Sequence, residues 1–171
     1  MSRAPVARPQ LDADAFRTAL GHFATGVAVI TTTGPAGFTC QSLTSLSLDP
    51  PMVSFSVSRT SATWPRIEVE GAVCVNILGQ GQAALARRFA AAGTDRFADT
   101  PWMPSEVLGL PRLDGVTACI EATVEAVYPG GDHHLVVCRV AAVDTVATAE
   151  PPLIYYRGRL TKSDQKGAGH A

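Results

Sequence analysis

No C-x-x-C pair, no long apolar run and no surplus of either charge occurs in this 171-residue chain. Each absence closes a class of function. No apolar stretch approaches the roughly 20 residues that a membrane helix needs, so no membrane partner is expected. Fourteen basic residues stand against fifteen acidic ones, a formal charge of -1, which offers nothing to draw the chain onto nucleic acid or anionic lipid. Cys40, Cys74, Cys119 and Cys138 lie far apart, each inside an apolar or β-like stretch. That pattern predicts small buried hydrophobes and indicates neither a zinc ribbon nor a redox dithiol. His133 and His134 are adjacent, so on a strand they point to opposite faces and cannot readily share a metal, and His22 and His170 have no ligand spacing to them. No metal site is expected. Met1–Gln10 lacks the apolar core of a signal peptide, which makes the cytoplasm the expected location.

What is present describes one globular domain, with 46% hydrophobic and 17% charged residues. Residues 1–10 carry two prolines and no periodicity and read as a flexible arm; 11–160 form the domain, and 161–171 a polar, flexible tail. Asp12 is placed to cap a helix that carries Phe16, Leu20 and Phe23 on one face. Strands are predicted over 27–33, 38–48, 52–58, 72–78, 116–128, 133–146 and 153–160, with short helices over 61–70 and 82–92. Along 116–128 the apolar residues Val116 to Tyr128 alternate with Thr117, Glu121, Thr123 and Glu125, the pattern of a strand with one face in a core and one in water. Hairpins dominate and strand does not alternate with helix, so the expected fold is a mainly β, antiparallel barrel with short peripheral helices.

Gly79-Gln80-Gly81-Gln82-Ala83-Ala84 follows a strand and opens a helix, as in dinucleotide-binding folds, and Asp99 falls about 20 residues on. The context does not fit, because no parallel strand follows and Asp99 sits in a proline-rich loop. More informative is Gly37-Phe38-Thr39-Cys40-Gln41-Ser42. Neutral donors and acceptors on a strand suit either a solvated face or the lining of a polar, uncharged ring. Arg59, at the end of the next strand, is placed to neutralise a phosphate. Gly130-Gly131-Asp132-His133 puts an imidazole at a turn, and Tyr155-Tyr156-Arg157-Gly158 offers stacking and charge.

Six separated motifs occur in order: Phe23–Thr32, the T-x-Q-S run with S-L-D-P-P at 47–51, Cys74–Leu78, Ala86–Phe89 with Asp95–Phe97, Gly130–His133, and Tyr156–Gly158. Over residues 15–160 the chain resembles the short-chain flavin reductases, the small component of two-component flavin monooxygenases. Cys40-Gln41 stands where many members carry Ala-Asn; with Ser61-Ala62-Thr63-Trp64-Pro65 downstream it is similar to the branch serving steroid-ring and phenol hydroxylases. The resemblance implies an FMN-binding split β-barrel, usually a homodimer with the flavin near the subunit interface. It implies that Gly37, Phe38, Thr39, Cys40, Gln41 and Ser42 lie along the flavin, with Ser56, Val57 and Ser58 beside it. Ala62 and Thr63 would offer backbone N–H groups to the phosphate, Arg88 and Phe89 would close over it, and His133 with Tyr155, Tyr156, Arg157 and Gly158 would form the nicotinamide side. The implied activity is reduction of FMN or FAD by NADH or NADPH, with His133 as the catalytic residue and a separate flavin-dependent oxygenase as the recipient of reduced flavin. Two rivals stay open: a split-barrel flavoprotein acting on its own substrate, as an oxidase or a deazaflavin-type reductase, and a non-catalytic flavin-binding module.

Overall fold

The computed structural model describes residues 11–146 and 150–162. The expected arm at 1–10 lies outside them, as does the expected tail at 161–171 apart from Thr161 and Lys162, which are strand and not tail. Asp12 accepts hydrogen bonds from the backbone of Asp14 and Ala15 and caps helix α1 (Ala13–Gly21) as expected. Phe23 falls beyond the helix end, and no residue of α1 is buried.

Seven antiparallel strands form the body of the molecule: β2 (Ala28–Thr32), β3 (Ala36–Cys40), β4 (Thr44–Leu48), β5 (Pro51–Ser58), β6 (Ala72–Ile77), β9 (Ala118–Gly130) and β10 (His133–Thr145). Their order is β3-β2-β6-β9-β10-β5-β4. The two edge strands are therefore consecutive in the chain, joined only by Gln41, Ser42 and Leu43. The sheet curls around one core, to which β2 gives Ile30, β5 gives Phe55, β6 gives Val75 and β10 gives Val136. Register shifts between Val137 and Cys138 and between Val140 and Ala142 bend the long β9–β10 hairpin around it. Helix α2 (Trp64–Glu70) adds Trp64 and Ile67 to that core and ends at Gly71, whose φ of 67° suits a residue without a Cβ. A second core, with Val29, Leu78 and Phe89, lies between the other face of β2 and helix α3 (Ala83–Ala90). Among the described residues every strand pairing is antiparallel, so the barrel expected from the hairpins is the observed fold.

Several expectations need correction. The single strand over 38–48 is two, because the chain leaves one sheet edge at Cys40 and joins the other at Thr44. The strand over 153–160 is a hairpin, β11 (Leu153–Tyr156) and β12 (Arg159–Lys162), turned by Arg157 and Gly158 at φ 49° and 76°. β11 also pairs with the short β1 (Thr25–Gly26). The proline-rich loop holds a small ladder, β7 (Trp102–Pro104) with β8 (Pro111–Leu113), which proline composition concealed. The Gly79–Gln82 loop forms a 3₁₀ turn (Gln80–Gln82), and the Gly81 amide donates to the Glu150 carboxylate at 3.0 Å. The glycines thus give room to an internal carboxylate: a Cβ on Gly81 would meet it at 2.9 Å.

The largest departure is the polar face of β9. Glu121 was expected in water and is only 5% exposed. The segment 105–113 covers it and hydrogen-bonds to it: Ser105 Oγ donates at 2.6 Å, Leu108 N at 2.5 Å and Val107 N at 3.2 Å. Burial works to raise the carboxyl's pKa, but these donors outweigh it and hold the group below its ordinary value of 4.5. Glu121→Gln should destabilise the fold at pH 7 by about 1–3 kcal/mol, since an amide cannot accept from three donors with the strength of a carboxylate. Because the native pKa is depressed, the wild-type advantage is complete above the ordinary carboxylate value and disappears as pH falls through the native one. Urea unfolding of both proteins between pH 7 and pH 3 measures this; parallel stability curves would refute it.

Candidate functional site

Where β3 leaves the sheet, a cleft of about 420 Å³ opens between it and β5. No backbone ladder joins these two strands among the described residues; side chains hold them instead. The Ser56 amide donates to Ser42 Oγ at 2.8 Å, and Cys40 Sγ lies 3.4 Å from the same oxygen. Thr39 Oγ1 donates to the Ala86 carbonyl of α3 at 2.6 Å. Of the two residues read as ring-facing donors, Ser42 therefore binds the seam together and Thr39 fastens β3 to α3. Gln41 is exposed on the crossing and lines the cleft. Burial pushes the Cys40 thiol up against a smaller lowering by Ser42, so it is a neutral wall.

The cleft brings together ten of the expected residues: Phe38 to Ser42 from the crossing, Ser56 to Ser58 from β5, Phe89 from α3, and His133 from β10. His133 Nδ1 lies 2.7 Å from Asp132 Oδ1, which leaves Nε2 as the ring nitrogen that Asp132 does not engage. The hydrogen bond and charge of His133 hold the exposed Asp132 carboxyl below its ordinary range. His134, on the opposite strand face, stacks on Trp64 with centroids 4.7 Å apart.

Other expected residues lie elsewhere. Arg88 sits one residue before the inward-facing Phe89 and so turns about 100° around the helix; its guanidinium donates to Ala98 O at 2.7 Å and Thr100 Oγ1 at 2.9 Å. Thr63 is buried, its hydroxyl donates to the Gly37 carbonyl at 3.1 Å, and its amide donates to Ser61 Oγ at 3.3 Å. The helix begins after it, at Trp64, so Thr63 has no free N–H to present. Gly37, Ala62 and Thr63 line a neighbouring notch of about 270 Å³. Arg59 is fixed through its backbone, which donates to Asp132 O. Tyr155 and Gly158 line a different cleft, of about 960 Å³, with Leu20 and Phe23. Arg157 lies over the Tyr156 ring and 3.2 Å from His22 Nδ1. The expected union of His133 with 155–158 is thus two clefts, divided by Gln41 and Ser42, which line both.

Three residues of the cleft were missed, Ser61, Ala90 and Arg96. Arg96 Nη1 donates to Gly37 O at 2.6 Å and its Nε to Ala91 O at 3.0 Å, so the guanidinium is locked beside both cleft and notch. The Asp95-Arg96-Phe97 motif was the available signal: Asp95 Oδ1 accepts from the Phe97 and Ala98 amides and forms the turn that aims Arg96. The lining is thus neutral donors, one fixed cation and an aspartate-oriented imidazole. No group of three metal ligands occurs among the described residues.

Comparison with known proteins agrees with this geometry. The family described as flavin reductase like domain matches residues 20–164. The chain is 44% identical over 156 residues to the flavin-dependent monooxygenase reductase subunit HsaB of Mycobacterium tuberculosis, covering 89% of this chain and 83% of that protein. The crystal structure of nitrilotriacetate monooxygenase component B from Mycobacterium thermoresistibile superposes with a TM-score of 0.87 at 42% identity, over 92% of this chain and 90% of that one. The NADH:FAD oxidoreductase SgcE6 of Streptomyces globisporus, solved with NAD and FAD fragments, superposes with a TM-score of 0.86 at 30% identity, over 95% and 99%. With its fold and its sequence in agreement, the chain belongs to the flavin reductase family.

Proposed function

We propose that this protein is an NADH-dependent flavin reductase that supplies reduced flavin to a separate oxygenase. The observation that carries the reading is the cleft at the barrel seam, where neutral groups and Arg96 meet the Asp132–His133 pair. Relatives named as monooxygenase reductase subunit and as NADH:FAD oxidoreductase support it. Reduced nicotinamide supplies a hydride to flavin N5, so the protein contributes position more than acid–base chemistry. The crossing 38–42 and strand residues Ser56, Val57 and Ser58 fit a planar, uncharged ring system, and Arg96 and Ser61 fit its phosphate side. His133, held by Asp132, offers Nε2 to the nicotinamide or to the reduced ring. The protein as purified should oxidise NADH when FMN or FAD is added, with no aromatic substrate present. Consumption no faster than in the flavin-free control would refute the reading, and would favour a binding module.

The same reading includes a homodimer. Phe16, Leu20 and Phe23 are 51%, 56% and 76% exposed, and the edge strand β4 presents Leu48 at 90%. The apolar cleft that Leu20 and Phe23 line abuts Gln41 and Ser42, so a second copy seated there reaches the seam. Light scattering at micromolar concentration should give the mass of two chains, and Leu20→Glu should shift it toward one. A wild-type monomer would overturn this part.

His133→Ala should lower kcat/KM for NADH by about 5- to 150-fold, the loss of one hydrogen bond worth roughly 1–3 kcal/mol. Flavin affinity should stay nearly unchanged. His134→Ala removes the stack on Trp64, so it should cost about 0.5–1.5 kcal/mol of stability and little in NADH use. Equal kinetic loss in the two variants, or loss of flavin binding in His133→Ala, would place the nicotinamide elsewhere.

A further inference from the structure

Outside the cleft, the fold brings together two nucleophiles that no step of the reaction uses. Cys74 on β6 and Cys119 on β9 are 45 residues apart in sequence, and their sulfurs are 2.9 Å apart. In the ladder, Cys74 faces Glu121 and Asn76 faces Cys119, so the two cysteines are diagonal neighbours on the outer face of the sheet. Both thiols are free and buried, packed with Ala72 and Leu110 beneath the 105–113 cover. Non-bonded heavy atoms rest at roughly 3.5–4.0 Å; this pair is already well inside that range. Sequence spacing had argued against a redox dithiol, but strand pairing supplies the proximity that a C-x-x-C would have supplied.

We propose that Cys74 and Cys119 form an intramolecular disulfide on reaction with hydrogen peroxide. The two thiols share one hydrogen bond, which either sulfur can donate. One thiolate of the pair takes one oxygen from peroxide, giving a sulfenic acid and hydroxide; the other sulfur then displaces that oxygen as water. In sum, two thiols and one peroxide give one disulfide and two waters. The oxidant arises from the protein's own product, since reduced flavin and dioxygen give oxidised flavin and hydrogen peroxide whenever no oxygenase consumes the flavin. The bond ties β6 to β9 and leaves the residues of the cleft untouched.

The test starts from the full chain, fully reduced, treated with an equivalent of hydrogen peroxide and then denatured for thiol counting. Titratable thiols should fall from the four of the sequence to two and return with dithiothreitol. Trypsin with a glutamate-specific protease cuts at Glu121 and Glu125, separating Cys119 from Cys138, so the linked peptide identifies the pair. The oxidised protein should also gain on the order of 10²–10³-fold in its folding equilibrium constant in urea. Cys119→Ser should keep its remaining thiols under the same treatment. Four thiols surviving in the wild type, a bond that includes Cys40 or Cys138, or either cysteine of the pair passing directly to sulfinic acid would overturn the proposal. A second arm replaces added peroxide with NADH, FMN and air; the same bond should form there and catalase should prevent it. Formation in the first arm alone, while NADH is being consumed, would overturn the assignment of the oxidant. The first arm needs no reductase activity, so its outcome is independent of the functional reading.

Discussion

The barrel is held shut at one place by a single serine hydroxyl. β3 and β4 are the outermost strands of the seven-stranded sheet, and the chain passes between them in three residues. No ladder pairs β3 with β4 or β5 among the described residues, so the two ends of the sheet meet without backbone pairing. Ser42 Oγ, accepting from the Ser56 amide, satisfies an otherwise orphaned donor of β5 and sets the width of the gap. The cleft exists because that gap is bridged by side chains and not zipped by backbone. Phe38 and Gln41 on one side and Ser56 and Ser58 on the other are its walls for the same reason.

A gap in a sheet needs a rigid remainder, and buried polar groups provide it. Asn76 is fully buried on β6; its amide donates to Val29 O at 3.2 Å and Thr31 Oγ1 at 3.1 Å, and its carbonyl accepts from Leu113 N at 2.8 Å. Thr31 Oγ1 reaches Pro111 O at 2.5 Å. These bonds pin β8 across the outer face of β2 and β6, as Glu121 pins 105–108 across β9. Leaving any of these groups unpaired in the interior would cost about 1–3 kcal/mol. The cover is therefore specified by polar matching, while the inner core is specified by Ile30, Phe55, Val75 and Val136. From β8 the packing runs back toward the cleft, through Trp102 edge-on to Phe97 and Phe97 edge-on to Phe89.

Period-two alternation and turn residues carried most of the fold in the sequence, and what they could not carry has a common cause. Alternation over 116–128 identified the inner face of β9 from Ile120, Ala122 and Val124, but a strand pattern says nothing about what lies outside the sheet. Hence Glu121 looked solvated, and the Cys74–Cys119 contact was invisible. The T-x-Q-S run lies in the cleft, where Thr39 to Ser42 meet Ser56 and His133. It could not say which hydroxyls face a ring and which are engaged by protein. Helical phase decided between Arg88 and Phe89, and an aspartate-built turn placed Arg96, both of which depend on geometry one residue finer than motif spacing.

The charge distribution of the cleft bears on what its occupant can do. The cleft walls carry neutral groups, with a guanidinium at one side and an imidazole at the mouth. Neutral hydrogen bonds contribute about 0.5–1.5 kcal/mol each, against roughly twice that for charged ones. Under the proposed function, a ring held mostly by the former, in a cleft open to solvent, would be held in place without being retained. That is what a protein needs when the molecule it reduces must leave before it is useful. The second cleft shares Gln41 and Ser42 with the first, and in the proposed dimer its apolar surface would close such a site from one side. In that reading, reaction and assembly would converge on the same three-residue crossing, Gln41 to Leu43.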